Sequence, residues 1–155
     1  DLHLQQILVC RDDFLIIDFE GEPSRPIAER RARSSPMRDV AGMLRSFDYA
    51  RESALQAMPH GVLHREALTA AARYWERRAR EAFLHAYWSA VVAGGLYQAG
   101  QRDDMLAVLD LFEIGKALYE LRYEIDNRPD WIGVPLAGLV ALAAPQDKPG
   151  ESGRT

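Results

Sequence analysis

Within the first twenty residues, two short apolar runs, Ile7–Cys10 and Phe14–Ile17, flank the polar triplet Arg11-Asp12-Asp13. The second run leads straight into Asp18-Phe19-Glu20. Four-residue runs rich in β-branched and aromatic side chains, separated by turn residues, predict a β-hairpin. Because each run is continuously apolar rather than alternating, the hairpin is expected to be buried, with Cys10 as a buried structural thiol. A hairpin constrains its surroundings: the return strand must deliver Asp18 beside whatever precedes the outgoing strand. Here that is Asp1 and, five positions later, Gln6.

An acid, an amide and a second acid in this order suit phosphoryl transfer. In protein kinases an Asp of the catalytic loop orients the acceptor hydroxyl, while an Asn five residues on and the Asp of a D-F-G triplet hold the metal. Mg²⁺ prefers carboxylate and carbonyl oxygens, so a Gln side-chain oxygen can stand in for that of Asn. On spacing alone, the same residues also fit a surface Asp ahead of an ordinary hairpin.

The longer wording is more specific. DLHLQQILV followed by LIIDFEGEPSRPIAERRARSSPMRDVAGMLRSFDYA, and later KALYELRYEIDNRPDWIGVPLAGL, resembles the maltokinase family over residues 1 to about 139. These are bacterial sugar kinases of the aminoglycoside-phosphotransferase-like fold, often fused to trehalose synthase. The resemblance implies a mainly α fold with a small β-hairpin, the C-terminal lobe of a protein-kinase-like architecture. It implies Mg²⁺ and ATP as co-substrate, maltose as acceptor and maltose 1-phosphate as product, feeding α-glucan synthesis. Asp1 would be the catalytic base. Gln6 and Asp18 would hold the metal, joined by Glu20 of the family's DFEGEP motif. The cluster Tyr119, Glu120, Tyr123, Asn127, Arg128 and Trp131 would face maltose. Such a cluster suits a sugar, whose CH faces stack on aromatic rings while its hydroxyls need polar partners. His3 and Asp39 would support the loop, Asp39 through backbone hydrogen bonds. Two points of comparison with the family stand out: its pattern has His-Gly just before the catalytic Asp, where this sequence begins, and Gln5 occupies a position usually held by Gly, which would relax the loop backbone.

Composition narrows the alternatives. The chain has 155 residues, 48% of them hydrophobic, enough for one domain with its own core. A net charge of −4 leaves no basic excess for phosphate neutralisation, so no nucleic-acid partner is expected. The lone Cys10 excludes an intramolecular disulfide. No apolar stretch reaches the ~20 residues that span a bilayer, and no signal peptide is visible. Cytoplasmic location, where ATP is available, is the expectation. No strand–Gly-rich-loop–strand pattern appears, so an N-terminal nucleotide lobe is expected to lie outside this chain, with trehalose synthase as a fused or associated partner by resemblance.

Residues 1–22 thus read as catalytic loop and metal-binding hairpin, 35–144 as a helical subdomain, and 145–155, rich in Pro, Gly and charge, as a disordered tail. Between them, the turn-rich 21–26 and the arginines 30, 31 and 33 read as a loop. Ser35-Pro36 is a helix start, followed by an apolar stripe at Val40, Met43, Leu44 and Phe47. A long helix is expected from His64 to Val92. Leu68, Ala71, Trp75, Ala79, Ala82, Phe83, Ala86 and Ala90 would form its core face, and Arg73, Arg77, Arg80 and Glu81 its polar face. Gly94-Gly95 should end it. The next helix, capped by Asp103, should run to about Asp126 with Leu106, Leu109, Phe112, Ala117 and Tyr123 inward, followed by a short apolar helix at Leu136–Ala143. Two other functions fit the same fold: a kinase for another small acceptor such as an amino alcohol, or a non-catalytic pseudokinase. Without its nucleotide lobe, the segment alone is expected to be inactive.

Overall fold

The computed structural model describes residues 2–21, 26–59 and 64–144. Asp1, the remainder of the DFEGEP turn and the expected tail therefore lie outside the described residues. The described part is mainly helical, with a two-stranded hairpin at its N-terminal end.

A 3-10 turn at Leu4–Gln6 leads into β1 (Ile7–Cys10), which pairs antiparallel with β2 (Asp13–Ile16) in the register Ile7 to Ile16 and Cys10 to Asp13. The two-residue connection Arg11-Asp12 is a tight turn, and Arg11 takes a positive φ of 56° to make it. The hairpin forms as expected, but it is not buried. Val9 is 84% exposed, Phe19 83% exposed and Cys10 exposed. Only Ile7 of the two strands packs against the helical core, so continuous apolarity does not correspond to burial among the described residues.

The arginine-bearing stretch expected as a loop contains a short helix, α1 (Ile27–Arg31). Ser35 then starts α2 (Met37–Gln56), its Oγ accepting the Met37 N–H at 3.3 Å. Helix α2 is the centre of the molecule, packing on α3 (Arg65–Ala93), α4 (Arg102–Asn127), α5 (Gly133–Ala143) and the Leu4–Gln6 turn. Its stripe Val40, Met43, Leu44 and Phe47 is buried with Leu109 of α4 as the core. Burying each such side chain contributes about 1.5–3 kcal/mol. Phe47 also meets the rings of Trp75 and Phe83 edge-on.

Two helix faces differ from expectation. Helix α3 has no fully buried residue: Leu68 is 41% exposed and Trp75 47%. Ala79 and Phe83 do pack inward as expected, but their line is completed by Glu76, Arg80 and Tyr87. Arg80, assigned above to the polar face, points into the bundle and grips Glu113 at 2.7 and 3.0 Å. In α4, Leu109 and Ala117 are buried as expected, whereas Leu106 and Tyr123 are exposed. Their places are taken by Glu113, Glu120 and Glu124, all buried. Gln101, after a 3-10 turn at Ala99–Gln101, starts this helix rather than Asp103. Gly94 caps α3 and Gly95 takes φ of 72°, so the paired glycines do end it.

The carboxylates are buried because α2 and α3 bring guanidinium groups to meet them. Arg45, 1% exposed, donates from Nε and Nη2 to Glu120 at 2.9 and 2.8 Å, and from Nη1 to Asp48. Arg80 Nη1 lies 3.8 Å from the other Asp48 oxygen, and Arg51 pairs with Glu76. Removing one member of such a pair strands a buried charge, which costs about 3–5 kcal/mol. Burial, and then the neighbouring Asp48 carboxylate, push Glu76 up to about 7 despite Arg51. Burial also raises Glu113 and Glu120 against the pull of Arg80 and Arg45 respectively.

Two predictions follow from these contacts. A carboxyl raised from an ordinary 4.5 to about 7 binds its proton more tightly folded than unfolded. Glu76 therefore lowers stability as pH rises through that window, with the full loss reached above it. Thermal melts from pH 4.5 to 8 should fall with pH, and Glu76→Gln should flatten that slope. The second concerns Gly42, whose added Cβ would meet the Leu2 carbonyl oxygen at 2.6 Å. Gly42→Ala should cost about 1–3 kcal/mol and push the 2–6 turn off α2. Amide hydrogen exchange should then quicken at Leu2 and Leu4.

Candidate active site

The turn that precedes the hairpin is held at several points. Leu2 N–H donates to Asp39 Oδ1 at 3.3 Å. Leu4 N–H donates to Ser46 Oγ at 3.2 Å, and the Ser46 hydroxyl in turn donates to the Met43 carbonyl at 2.6 Å. Both anchors sit on α2, and Gly42 between them lets the chain come within contact of the helix backbone.

Gln6 is buried and closes the turn on itself. Its Oε1 accepts the His3 N–H at 3.2 Å, and its own N–H donates to the His3 carbonyl at 2.9 Å. Its carbonyl accepts the Ile17 N–H at 2.9 Å, which ties the return strand to the turn. The next residue, Asp18, therefore leaves the strand beside Gln6. It does so with φ of 60°, a left-handed conformation uncommon outside glycine and costly to hold. Glu20 is exposed, and its carbonyl accepts from Arg30 Nη1 at 3.3 Å.

Among the described residues, no group of three or more His, Cys, Asp or Glu side chains is placed to hold a metal ion. Gln6 and Asp18 nevertheless carry hard oxygen donors, and the Gln6 main-chain carbonyl holds the N–H of Ile17, the residue next to Asp18. The Gln6 oxygen has a second lone pair beyond the one its His3 contact uses. Mg²⁺ needs only one or two protein oxygens when phosphates and water complete its shell, so this donor set fits it. The His3 imidazole is lowered by burial first and by the positive charge of Lys116 next, with Asp18 acting in the opposite sense. Lys116 of α4 and Asp18 at the end of the hairpin thus act on the His3 imidazole in opposite senses.

Beside this turn opens a cavity of about 560 Å³. His3, Leu4 and Gln5 form one wall, and Ser46 and Tyr49 of α2 another. The α4 wall contributes Lys116, Tyr119, Glu120, Tyr123 and Glu124, and Arg128 and Trp131 close the end. Tyr119, Glu120, Tyr123, Arg128 and Trp131 of the sequence-predicted sugar cluster thus meet in one place, adjoining the turn. Asn127 does not line it: its Nδ2 donates to the Tyr123 carbonyl at 2.9 Å, a tie across the last helical turn.

Charge within the cavity is largely matched. Arg128 donates to both Glu124 oxygens, at 2.9 and 2.7 Å, and its guanidinium lies 5.4 and 5.5 Å from the Tyr123 and Trp131 ring centroids. The Tyr49 hydroxyl donates to Glu124 Oε1 at 2.9 Å, and its ring stacks on Trp131 with centroids 6.0 Å apart. Burial and the surrounding carboxylates Glu120 and Glu124 raise the Tyr49 phenol, keeping it a donor. Lys116 Nζ lies 5.3 Å from the Tyr119 ring centroid.

Sequence reasoning missed the α2 contribution. Gly42, Ser46, Tyr49, Ala50 and Ser53 recur at helical spacing and form a second, small-and-polar face opposite the apolar one. That stripe was legible, but a search for apolar periodicity passes over it.

No family model matches the chain. It is 29% identical over 145 residues to a glucosamine kinase of Streptacidiphilus jiangxiensis, covering 92% of this chain and 30% of that protein. It is 33% identical over 144 residues to a glucosamine kinase of Mycolicibacterium smegmatis, covering 92% and 33% respectively. Among solved structures, it matches a glucosamine kinase in complex with glucosamine, ADP and inorganic phosphate with a TM-score of 0.76 and 26% identity, over 93% of this chain and 32% of that one. A glucosamine kinase in crystal form B matches with a TM-score of 0.74 and 27% identity, over 93% and 33%. The chain thus spans about a third of the length of the relatives it matches. These likenesses are consistent with a kinase-like fold, and the proteins matched are named glucosamine kinases, not maltokinases.

Proposed function

We propose that this chain is the acceptor-binding and metal-binding part of an ATP-dependent sugar kinase whose acceptor is maltose. The observation that carries the reading is the cavity beside the turn: His3, Leu4 and Gln5, the small-and-polar face of α2 and the Tyr/Trp/Arg cluster border one space. Its volume falls in the range of small-molecule sites and has room for a disaccharide.

Within that reading, Asp1, outside the described residues, orients the anomeric hydroxyl and takes its proton late in the transfer. Gln6 and Asp18 would hold Mg²⁺, with Glu20 as a further oxygen donor. The metal, when bound, neutralises charge on the transferring phosphoryl group. Tyr119, Tyr123 and Trp131 offer ring edges and faces to the sugar, and Glu120 and Arg128 offer polar contacts. Positioning supplies most of the acceleration, since the loose transition state of phosphoryl transfer needs little covalent help. The product, maltose 1-phosphate, would feed α-glucan synthesis in the cytoplasm, alongside a fused or associated trehalose synthase. An upstream nucleotide lobe would complete the ATP site. No helix among the described residues is long and apolar enough to cross a membrane.

The relatives' name favours a second acceptor, glucosamine. The charge pattern of the cavity speaks for a neutral sugar. Glu120 and Glu124 are each already engaged by a guanidinium, and Lys116 adds a positive charge. An ammonium group would have to share the cavity with the Lys116 cation and would compete with Arg128 for Glu124.

The deciding experiment incubates the full-length polypeptide with Mg-ATP and either maltose or glucosamine, followed by phosphorus NMR. A sugar-phosphate signal with maltose, absent in Asp1→Asn, is expected. A signal with glucosamine alone would move the acceptor to the amino sugar. No signal with either sugar and no ATP binding would favour a pseudokinase. Asp18→Ala should lower kcat by about 10²–10³-fold or more. Its helical melting transition should stay unchanged, because Asp18 is exposed and lies outside the α2–α4 core.

A further inference from the structure

The cavity wall contains a carboxylate whose orientation is set from behind. Glu120 lines the cavity, yet Arg45, which fixes it, is not among the lining residues and is almost wholly buried. Both Arg45 Nε and Nη2 converge on the same oxygen, Oε2, at 2.9 and 2.8 Å. The usual fork of an Arg–carboxylate pair places one N–H on each oxygen. Here Oε1 stays outside the guanidinium fork, on a carboxylate whose rotation is locked.

The guanidinium is locked in its turn. Nη1 is tied to Asp48 one helical turn along α2. On its other side lies α5, where Gly138 leaves the needed space: a Cβ there would meet Nη1 at 2.1 Å and Cζ at 2.9 Å. Three helices thus converge on one side chain; of these groups Glu120 lines the acceptor cavity, whereas Arg45, Asp48 and Gly138 line a separate space of about 230 Å³. A buried ion pair is a poor stabilising device when apolar residues of equal volume could fill the space. Its geometry here suits a different task, aiming an acceptor oxygen.

Resting on the sugar-kinase reading, we infer that Arg45 is a positioning residue for the sugar acceptor. Held by Asp48 and by the space over Gly138, it fixes Glu120 so that the carboxylate accepts a hydrogen bond from a sugar hydroxyl. Arginine is required because its planar fork delivers two N–H groups to one oxygen. Lysine offers a point charge without that geometry.

The test measures steady-state kinetics of the full-length polypeptide, varying the sugar and ATP separately, for Arg45→Lys and Gly138→Ala beside thermal melts. Arg45→Lys should raise KM for the sugar about tenfold while kcat and KM for ATP stay within about twofold, since uniform binding of the acceptor is lost. Gly138→Ala, at a position outside the lining of the acceptor cavity, should shift the sugar KM in the same direction by displacing the guanidinium. A merely structural role would lower the melting temperature and leave the sugar KM of the folded fraction unchanged, and that result would overturn the inference. Equal rises in both KM values would overturn it as well. Should either variant fail to fold, Glu120→Asp gives the same readout, and an unchanged sugar KM there would overturn it. No sugar phosphate from the unsubstituted polypeptide would overturn the sugar-kinase reading and this inference together. An unchanged sugar KM in a working kinase overturns this inference alone.

Discussion

The buried guanidinium of Arg45 is the contact on which the rest of the arrangement depends. It lies where α2, α4 and α5 meet, its three donor nitrogens engaged by Glu120 and Asp48. Around it, Arg80 with Glu113 and Arg51 with Glu76 carry the same pattern outward to α3. Charges in a low-dielectric interior must be matched or they cost several kcal/mol each. The matching fixes helix register in a way that an apolar seam would not, because only one rotation of α4 presents Glu113, Glu120 and Glu124 to their partners. Two of those carboxylates, Glu120 and Glu124, also line the cavity, so the bundle's packing and the shape of its site are one problem.

The 2–6 turn shows how a backbone segment is held against a helix without side-chain bulk. Gly42 removes the obstacle, Asp39 and Ser46 supply acceptors on either side, and Gln6 closes the turn and hands on to Ile17 of the return side. The outcome is a defined approach to Asp18, which among the described residues is the carboxylate of this region with a left-handed φ. Strain of this kind persists only when its surroundings over-determine it. The Gln6–Ile17 hydrogen bond immediately before Asp18 is part of that restraint.

The hairpin beyond the turn presents Leu8, Val9, Phe14, Leu15 and Ile16 largely uncovered. Two strands alone bury little, and the described helices lie to one side. Continuous apolar strands of this length ordinarily have cover on both faces. The chain matches about a third of the length of its relatives. The same apolar composition that predicts a strand thus carries no statement about which body covers it.

Local chemistry determined much by itself. The hairpin, the Ser35-Pro36 start of α2, its apolar stripe and the glycine end of α3 all follow from short-range spacing and turn residues, and the structure has each of them. Spacing also grouped Tyr119, Glu120, Tyr123, Arg128 and Trp131, because a helix end and its following loop keep near neighbours together. Tertiary structure alone decided the rest. Arg80 could be read as solvated until α4 placed Glu113 opposite it, and Tyr49 and Ser46 joined the site only because α2 runs alongside α4. Asn127 left the site because its amide satisfies a carbonyl of its own helix. Whether a charged side chain is inside or outside depends on partners many tens of residues away, as Arg45 and Glu120 are. No periodicity within one helix can supply that.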